Sequence, residues 1–442
     1  MGRPHKVLDA QPEETLLSYL RRSGLTGTKL GCGEGGCGAC TVMVSRRRLT
    51  GDNAIEHRSV NACLAPLCSV DGCSVTTVEG IVQKDGTPHP SQERIAKMHG
   101  SQCGFCTPGI VMSLHTLLTN KAAPELEDIE DCFDGNLCRC TGYRPIIDAA
   151  KTFAVDKDSC PNTNEDDVDT VGATNDDDEV QNTIKSTTKS KITNSGALSL
   201  MYEETKTQVP EFFPNDLVEY NENKPFLQIN GTRVTWYRPT KLQDLLELKS
   251  KFGGKAKLIA GNTEVGIETK FKNREYPIMV SITELPELKV LKLQNSNVDK
   301  KLSELSIGGN VTLSELQEFL LKICAEDGSD KKHVSRGWSA MEQMIRWFAS
   351  NQIRNVAALA GNICTASPIS DLNPVLMALG ASLKLASLDG SNKASTRIVK
   401  MREFFLGYRK VDMKENEILQ EIIVPSTRKY EYVRAFKQAR RR

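Results

Sequence analysis

LGCGEGGCGACTVMVS, residues 30–45, sets Cys32, Cys37 and Cys40 in a C-x4-C-x2-C spacing inside a glycine-rich loop. A distant fourth cysteine completes the plant-type pattern for a 2Fe-2S cluster, whose irons take four thiolates from one wrapped segment. Cys63, Cys68 and Cys73 are all spaced to be that fourth ligand. The same letters match G-x-G-x-x-G from Gly31 to Gly36, the mark of a dinucleotide turn. Such a turn follows a hydrophobic strand and opens a helix. Here the order is reversed: a helical segment with Leu16, Leu17 and Leu20 at helical spacing ends near Gly24, and the loop runs into a strand at Thr41–Val44.

Four more cysteines arrive as two close pairs, Cys103 and Cys106 in QCGFCTPGI and Cys138 and Cys140 in LCRCTGYRPI. Each pair leads into an expected helix, with Pro108 and Pro145 at first-turn positions where the missing N–H is not needed. Helix N-termini favour anionic neighbours, and a thiolate-bound centre is one. Paired cysteines alone read more readily as structural zinc. Beside a plant-type loop they read as a second 2Fe-2S site.

The strings TKLGCGEGGCGACTVMVS, NACLAPLCSVDGCSVTTVEGI, HGSQCGFCTPGIVMS and GNLCRCTGYRPI resemble the two cluster domains of the molybdenum-flavin hydroxylases, the xanthine dehydrogenase and aldehyde oxidase family. That resemblance implies Cys63 as the fourth ligand of the first loop, in NACLAP, and leaves Cys68 and Cys73 as small apolar residues. It implies an α+β multidomain chain. A β-grasp ferredoxin-like 2Fe-2S domain spans 1–80, a four-helix 2Fe-2S domain 81–154, a disordered acidic and polar linker 155–225, and a partial PCMH-type α+β FAD-binding domain 226–442.

The linker is also read from composition. NEDDVDTVGATNDDDEV is acidic and KSTTKSKITNSG polar, so residues from Asp156 to about Asn223 bury too little apolar surface to offset ordering entropy. Cys160 within it reads as a free thiol. Before it a strand is expected at Ser74–Val78; beyond it, strands are expected at Val234–Tyr237, Lys257–Ala260, Ala381–Ser387 and Ile418–Val424, a helix at Leu242–Phe252, and a capping box at Thr312 and Glu315.

After the strand KLIA, GNTEVGI offers a turn at Gly261 and N–H groups at a helix start suited to a pyrophosphate. Alone, Gly-Asn is an ordinary turn dipeptide. KLIAGNTEVGIETKF and RWFASNQIRNVAALAGNICTASPISDLNP resemble the family's flavin-contacting stretches, which implies FAD contacts at Lys257, Leu258, Ile259, Ala260, Gly261, Asn262, Thr263 and Glu264. It also implies contacts at Phe348, Gly361, Asn362, Asp371, Leu419 and Lys437. Phe348 and Leu419 could equally be core residues, Asp371 a helix cap and Lys437 a solvated charge. Ala358 stands where family members often carry Ser. FFLGYRK, with Tyr408 and Arg409, is closer to the dehydrogenase branch, which implies NAD as acceptor, than to aldehyde oxidase; Gln102 resembles a residue that touches the molybdenum-bound pterin.

With 442 residues the chain holds about three domains. A net charge of +1 and a pI near 7.4 give no reason to expect nucleic acid as a partner. No segment has the apolar length of a membrane span, MGRPHK lacks a signal core, and Lys6 stands where a myristoylation signal wants Ser or Thr. Fourteen cysteines without a secretion signal read as thiols and ligands of a cytoplasmic protein. The resemblance implies that full-length family members carry a molybdenum-pterin cofactor and a catalytic glutamate, with a homodimer as a possible full-length form. Neither the pterin domains nor the second half of the flavin domain is seen here, so the chain is expected to be a truncated electron-transfer portion with no catalytic residue for substrate hydroxylation. A fragment of the aldehyde oxidase branch and a non-catalytic iron-sulfur and flavin carrier subunit are the other readings.

Overall fold

The computed structural model describes residues 5–51, 54–83, 85–155, 213–295, 303–326 and 332–439. Leu16, Leu17 and Leu20 form the buried face of α1 (Leu16–Arg22), and Thr15 Oγ1 caps it by accepting from the Ser18 N–H. The cysteine loop then leads into β1 (Thr41–Arg47), flanked in one antiparallel sheet by β2 (Ile55–Asn61) and β3 (Ser74–Thr76). Alternation sends Val42 and Val44 toward α1 and Met43 toward the next domain, so both faces of β1 are buried. The strand expected to reach Val78 stops at Thr76, because Val78–Ile81 turns into a 3-10 helix.

Four helices follow: α2 (Pro90–Lys97), α3 (Thr107–Asn120), α4 (Leu126–Cys132) and α5 (Arg144–Lys151). α3 buries Ile110, Val111, Met112, Leu114 and Leu118 around most of its circumference and lies against β1 and β2. His57 of β2, His115 of α3 and His89, which caps α2, gather at this junction; the His89 and His115 rings meet edge-on at 4.6 Å. Burial is the main cause that pushes all three below the ordinary imidazole range, His89 to about 4 and His115 well down. The native state therefore binds fewer protons than the unfolded chain below about pH 6.5. Stability present above that pH should be lost as pH falls toward 4, at about 1.4 kcal/mol per pH unit from His89, with His57 and His115 acting in the same direction. Urea midpoints across this window measure the slope. His89→Asn, which retains an acceptor for the Ser91 N–H that His89 Nδ1 now caps, should flatten it.

Residues 156–212, Cys160 included, lie outside the described residues. The expected linker is corrected at its far end. Phe213 is buried, and α6 (Asn215–Glu222) docks on the first domain through Tyr220 Oη to Asp71 (2.8 Å) and Asn221 Nδ2 to the Gly72 carbonyl (2.7 Å). Lys224 Nζ pairs with Glu284 at 3.0 Å. Polar side chains read as a solvated linker instead find partners on two domains.

The third unit has two sheets. β4 (Leu227–Asn230), β5 (Thr235–Arg238), β6 (Ala256–Ile259) and β7 (Ile278–Ser281) form the order β4-β5-β7-β6, with β7 parallel to both β5 and β6. The crossovers are α7 (Leu242–Phe252) and α8 (Val265–Phe271). β8 (Leu291–Asn295), β9 (Ser303–Gly308), β10 (Ser382–Leu388), β11 (Ala394–Lys400) and, after a hairpin of β12 (Phe405–Gly407) and β13 (Lys410–Val411), β14 (Ile418–Pro425) make the antiparallel order β11-β10-β14-β9-β8. α9 (Leu313–Glu326), α10 (Lys332–Arg346), α11 (Asn351–Arg354), α12 (Leu359–Thr365) and α13 (Asn373–Ala378) contribute to its core. The expected capping box at α9 is formed, with the Thr312 N–H donating to Glu315 Oε2 (2.7 Å) and the Glu315 N–H to Thr312 Oγ1 (3.3 Å). Among the described residues no helix is long and apolar enough to cross a membrane.

Candidate redox centres and flavin site

The loop between α1 and β1 folds back on its own sulfurs. The Glu34 and Gly36 N–H groups donate to Cys32 Sγ at 3.4 and 3.2 Å, and the Cys32 N–H to Cys37 Sγ at 3.3 Å. Gly33 and Gly35 reach this path at φ +71° and +77°. The Cys37 thiol has Cys32 beside it, and the Cys40 and Cys63 thiols neighbour each other. Donation by Cys40 holds Cys63 down to about 7 and, with burial, pushes Cys40 well up. The other two candidates point elsewhere: burial pushes Cys68 up to about 12, among Val234 and Trp236, and Cys73 up to about 11.

In the second set the four thiols are free, and Cys103 neighbours Cys140 while Cys106 neighbours Cys138. Cys106 occupies the cap position of α3 and burial lifts its thiol to about 12. Burial also opposes ionisation of Cys138, but the Thr141 hydroxyl at 3.0 Å helps bring it below the ordinary range. Cys103 is lowered first by the Phe105 N–H, and both Cys103 and Cys140 are exposed. Among the described residues no three His, Cys, Asp or Glu side chains converge as a single-ion site. Four thiols in each set match in number the donors that two irons with two thiolates apiece would take.

The two sets touch through one backbone and one side-chain hydrogen bond. The Leu137 N–H donates to the Cys37 carbonyl (2.9 Å) and Asn136 Nδ2 to the Gly38 carbonyl (3.2 Å). Gln352, carried by α11 of the third unit and fully buried, donates to Asn136 Oδ1 (2.9 Å) and Ser113 Oγ (3.1 Å). Asn355 reaches the Ser59 carbonyl (2.9 Å), and Arg354 pairs with Asp134 (3.2 Å). None of these residues had been singled out in the sequence; their partners are far away in the chain, and no local signal marks them.

The glycine turn after β6 closes on the first loop. Asn262, at φ +57°, donates from Nδ2 to the carbonyl of Leu64 (2.8 Å), next to Cys63. A Cβ at Gly261 would stand 2.2 Å from the Val356 carbonyl, so only glycine permits the approach. A cleft lined by Asn61, Leu64, Gly261, Thr263, Ile353 and Val356 lies between the loops. Glu264 accepts from Arg409 at 2.7 Å, and Lys257 lies 3.7 Å from Glu268. Leu258 and Ile259 are strand residues that pair with β7 beside Ala260.

The remaining expected flavin contacts are spread over neighbouring segments. Asp371 is no helix cap: Lys437 Nζ pairs with it at 2.7 Å and also donates to the Trp347 carbonyl (2.8 Å), beside Phe348. So Lys437 is not a free solvated charge either. Asn362 of α12 accepts from the Ser370 hydroxyl (2.6 Å), while the space around a Gly361 Cβ is open. Leu419 sends its side chain into the core, and Phe348 packs against the same core. Ala358 starts α12 without a side-chain cap. Gln102 is exposed beside Cys103.

Residues 2–68 match the 2Fe-2S iron-sulfur cluster binding domain, residues 77–151 the [2Fe-2S] binding domain, and residues 230–427 the FAD binding domain in molybdopterin dehydrogenase. The chain is 47% identical to a xanthine dehydrogenase/oxidase of Gallus gallus and 48% identical to that of Felis catus, each over 98% of this chain. It spans about a third of those relatives' length, 32% and 31%. Among solved structures, a carbon monoxide dehydrogenase from Hydrogenophaga pseudoflava matches with a TM-score of 0.37 and 21% identity over 46% of this chain and 62% of that one. The chain thus carries two 2Fe-2S domains and an FAD-binding domain, and along nearly all of its length it is a homologue of the xanthine dehydrogenases.

Proposed function

We propose that the chain is the electron-transfer arm of a xanthine dehydrogenase-type oxidoreductase of purine catabolism, working in the cytoplasm. Cys32, Cys37, Cys40 and Cys63 hold one cluster and Cys103, Cys106, Cys138 and Cys140 the other. When bound, the clusters carry single electrons and the flavin joins one-electron to hydride chemistry. The observation that carries the reading is the hydrogen bond from the Leu137 N–H to the Cys37 carbonyl. Leu137 adjoins Cys138, so one hydrogen bond and a few covalent bonds connect a ligand of each set. On the other side, Asn262 ties the flavin loop to the residue after Cys63.

Direction follows from exposure. Cys103 and Cys140 open to solvent near the exposed side chains of Phe105, Leu137 and Tyr143, a face suited to receiving electrons from a molybdenum-pterin unit, to which oxidation of the purine is assigned. Flavin contacts are assigned to Lys257–Glu264 and to Phe348, Gly361, Asn362, Asp371 and Lys437, with Leu419 contributing main chain only because its side chain is in the core. The β12–β13 hairpin leaves Tyr408 75% exposed while Arg409 anchors it to Glu264 and Glu268, which supports NAD as the acceptor at that face.

The test is anaerobic reconstitution with ferrous salt, sulfide and FAD, followed by NADH. Bleaching of the flavin bands and then of the iron-sulfur bands is the expected result. Zinc without acid-labile sulfide, or clusters that stay oxidised under NADH, would overturn the reading.

A further inference from the structure

We propose that Lys270, a residue of the FAD-binding domain, raises the reduction potential of the first 2Fe-2S centre by way of a single peptide group. The proposal rests on the reading of Cys32, Cys37, Cys40 and Cys63 as its ligands and adds a positioning residue from another domain. Lys270 Nζ donates to the Gly33 carbonyl at 3.1 Å. The same peptide unit presents the Glu34 N–H to Cys32 Sγ at 3.4 Å. An ammonium therefore sits at one end of a peptide dipole whose other end points at a ligand sulfur.

A second peptide is built the same way. The Gly35 carbonyl accepts from Asn61 Nδ2 at 3.1 Å, and its partner N–H, that of Gly36, donates to Cys32 Sγ at 3.2 Å. Engaging a carbonyl strengthens the N–H of the same peptide as a donor, and chains of such bonds polarise one another. The Asn61 cap is neutral and belongs to the first domain. The Lys270 cap is charged, and charge-assisted hydrogen bonds are roughly twice as strong as neutral ones.

Hydrogen bonds to the sulfurs and local charge set the potential of a cluster. Reduction adds negative charge, so a nearby cation and donors aimed at sulfur favour the reduced form. The loop's own ionisable residues, Lys29 and Glu34, are of opposite sign, and the Lys29 ammonium is drawn to the Thr26 carbonyl at 2.8 Å. Lys270 is therefore a surplus positive charge on this loop.

The fold fixes its reach. At the other end of α8, Asn262 Nδ2 holds the Leu64 carbonyl (2.8 Å), and a Cβ on Gly266 would lie 3.2 Å from Leu64 Cδ2, so the helix rests closely on the segment after Cys63. Gly33 completes the contact, because a Cβ there would stand 2.7 Å from Lys270 Nζ. α8 starts where the flavin loop ends, so a more oxidising first centre draws electrons from the second toward the flavin.

The experiment is an EPR-monitored redox titration of the full chain with both clusters and FAD bound. Lys270→Met should reduce the electron occupancy of the first centre relative to the second about three- to tenfold at a fixed potential, where tenfold is 59 mV for one electron. Lys270→Arg keeps the charge and should stay within about twofold of the parent chain. Because Lys270 is exposed, the Met effect should shrink as salt is raised. Equal potentials in the Met variant and the parent, equal shifts in Met and Arg, or a common shift of both centres would each overturn the proposal. A parent chain in which the second centre forms but the first gives no signal would instead overturn the ligand reading, and the proposal with it.

Discussion

Serine at Cys63 is expected to remove half of the iron and acid-labile sulfide from the reconstituted chain, while serine at Cys68 or Cys73 leaves both at the parental level. Spacing gives all three cysteines a comparable claim to be the fourth ligand. Geometry separates them. Cys63 adjoins Cys40, whose thiol helps draw it down to about 7. Cys68 packs instead among Val234, Trp236 and Val265, and Cys73 Sγ turns toward the Asp71 carbonyl at 3.9 Å. Asn61, two residues before Cys63, also accepts weakly from Cys40 Sγ at 3.6 Å, so the Cys40 and Cys63 side of the cage is built by one short segment. Iron and sulfide counts on the three variants measure the outcome. Full iron in the Cys63 variant with loss in the Cys68 or Cys73 variant would reassign the ligand.

What the sequence makes legible is what local rules govern. The helix over Leu242–Phe252 is expected and found at those bounds because Leu245, Leu246 and Leu248 fall on one buried face. Thr312 and Glu315 close a box three positions apart, so a four-residue window suffices to see it. The paired cysteines are equally plain, since ligand spacing is a local quantity. Gln352 shows the limit: its partners Ser113 and Asn136 are more than two hundred residues earlier in the chain. A buried carboxamide at a junction of three domains has the same letters around it as one on a surface helix. α6 is hidden for the same reason, because the partners of Tyr220 and Asn221 at Asp71 and Gly72 lie across the expected linker.

Alanine at Gly109 tests the contact on which communication between the two cluster sites depends. Gly109 lies in the first turn of α3, where its missing side chain lets the helix rest on the first cysteine loop. A Cβ there would stand 2.2 Å from the Gly38 carbonyl oxygen, 3.1 Å from its carbon and 3.2 Å from Ala39 Cα. All three are backbone atoms of the segment between Cys37 and Cys40, so no side chain can swing aside to relieve the clash. Either α3 retreats or the cysteine loop deforms. Both moves strain the bonds from Leu137 to Cys37 and from Asn136 to Gly38. Overpacking against backbone at a buried site, with loss of two interdomain hydrogen bonds, should cost about 2–4 kcal/mol in stability. Gly80→Ala is the matched control: its Cβ would meet only Thr76 Cγ2, at an ordinary 3.6 Å. That change should move stability by less than about 0.5 kcal/mol. Urea unfolding reads the energies, and the magnetic interaction between the two reduced centres reads the junction directly. A Gly109→Ala chain with parental stability and an undiminished interaction would mean that the close approach of α3 to the first loop is not what couples the two sites.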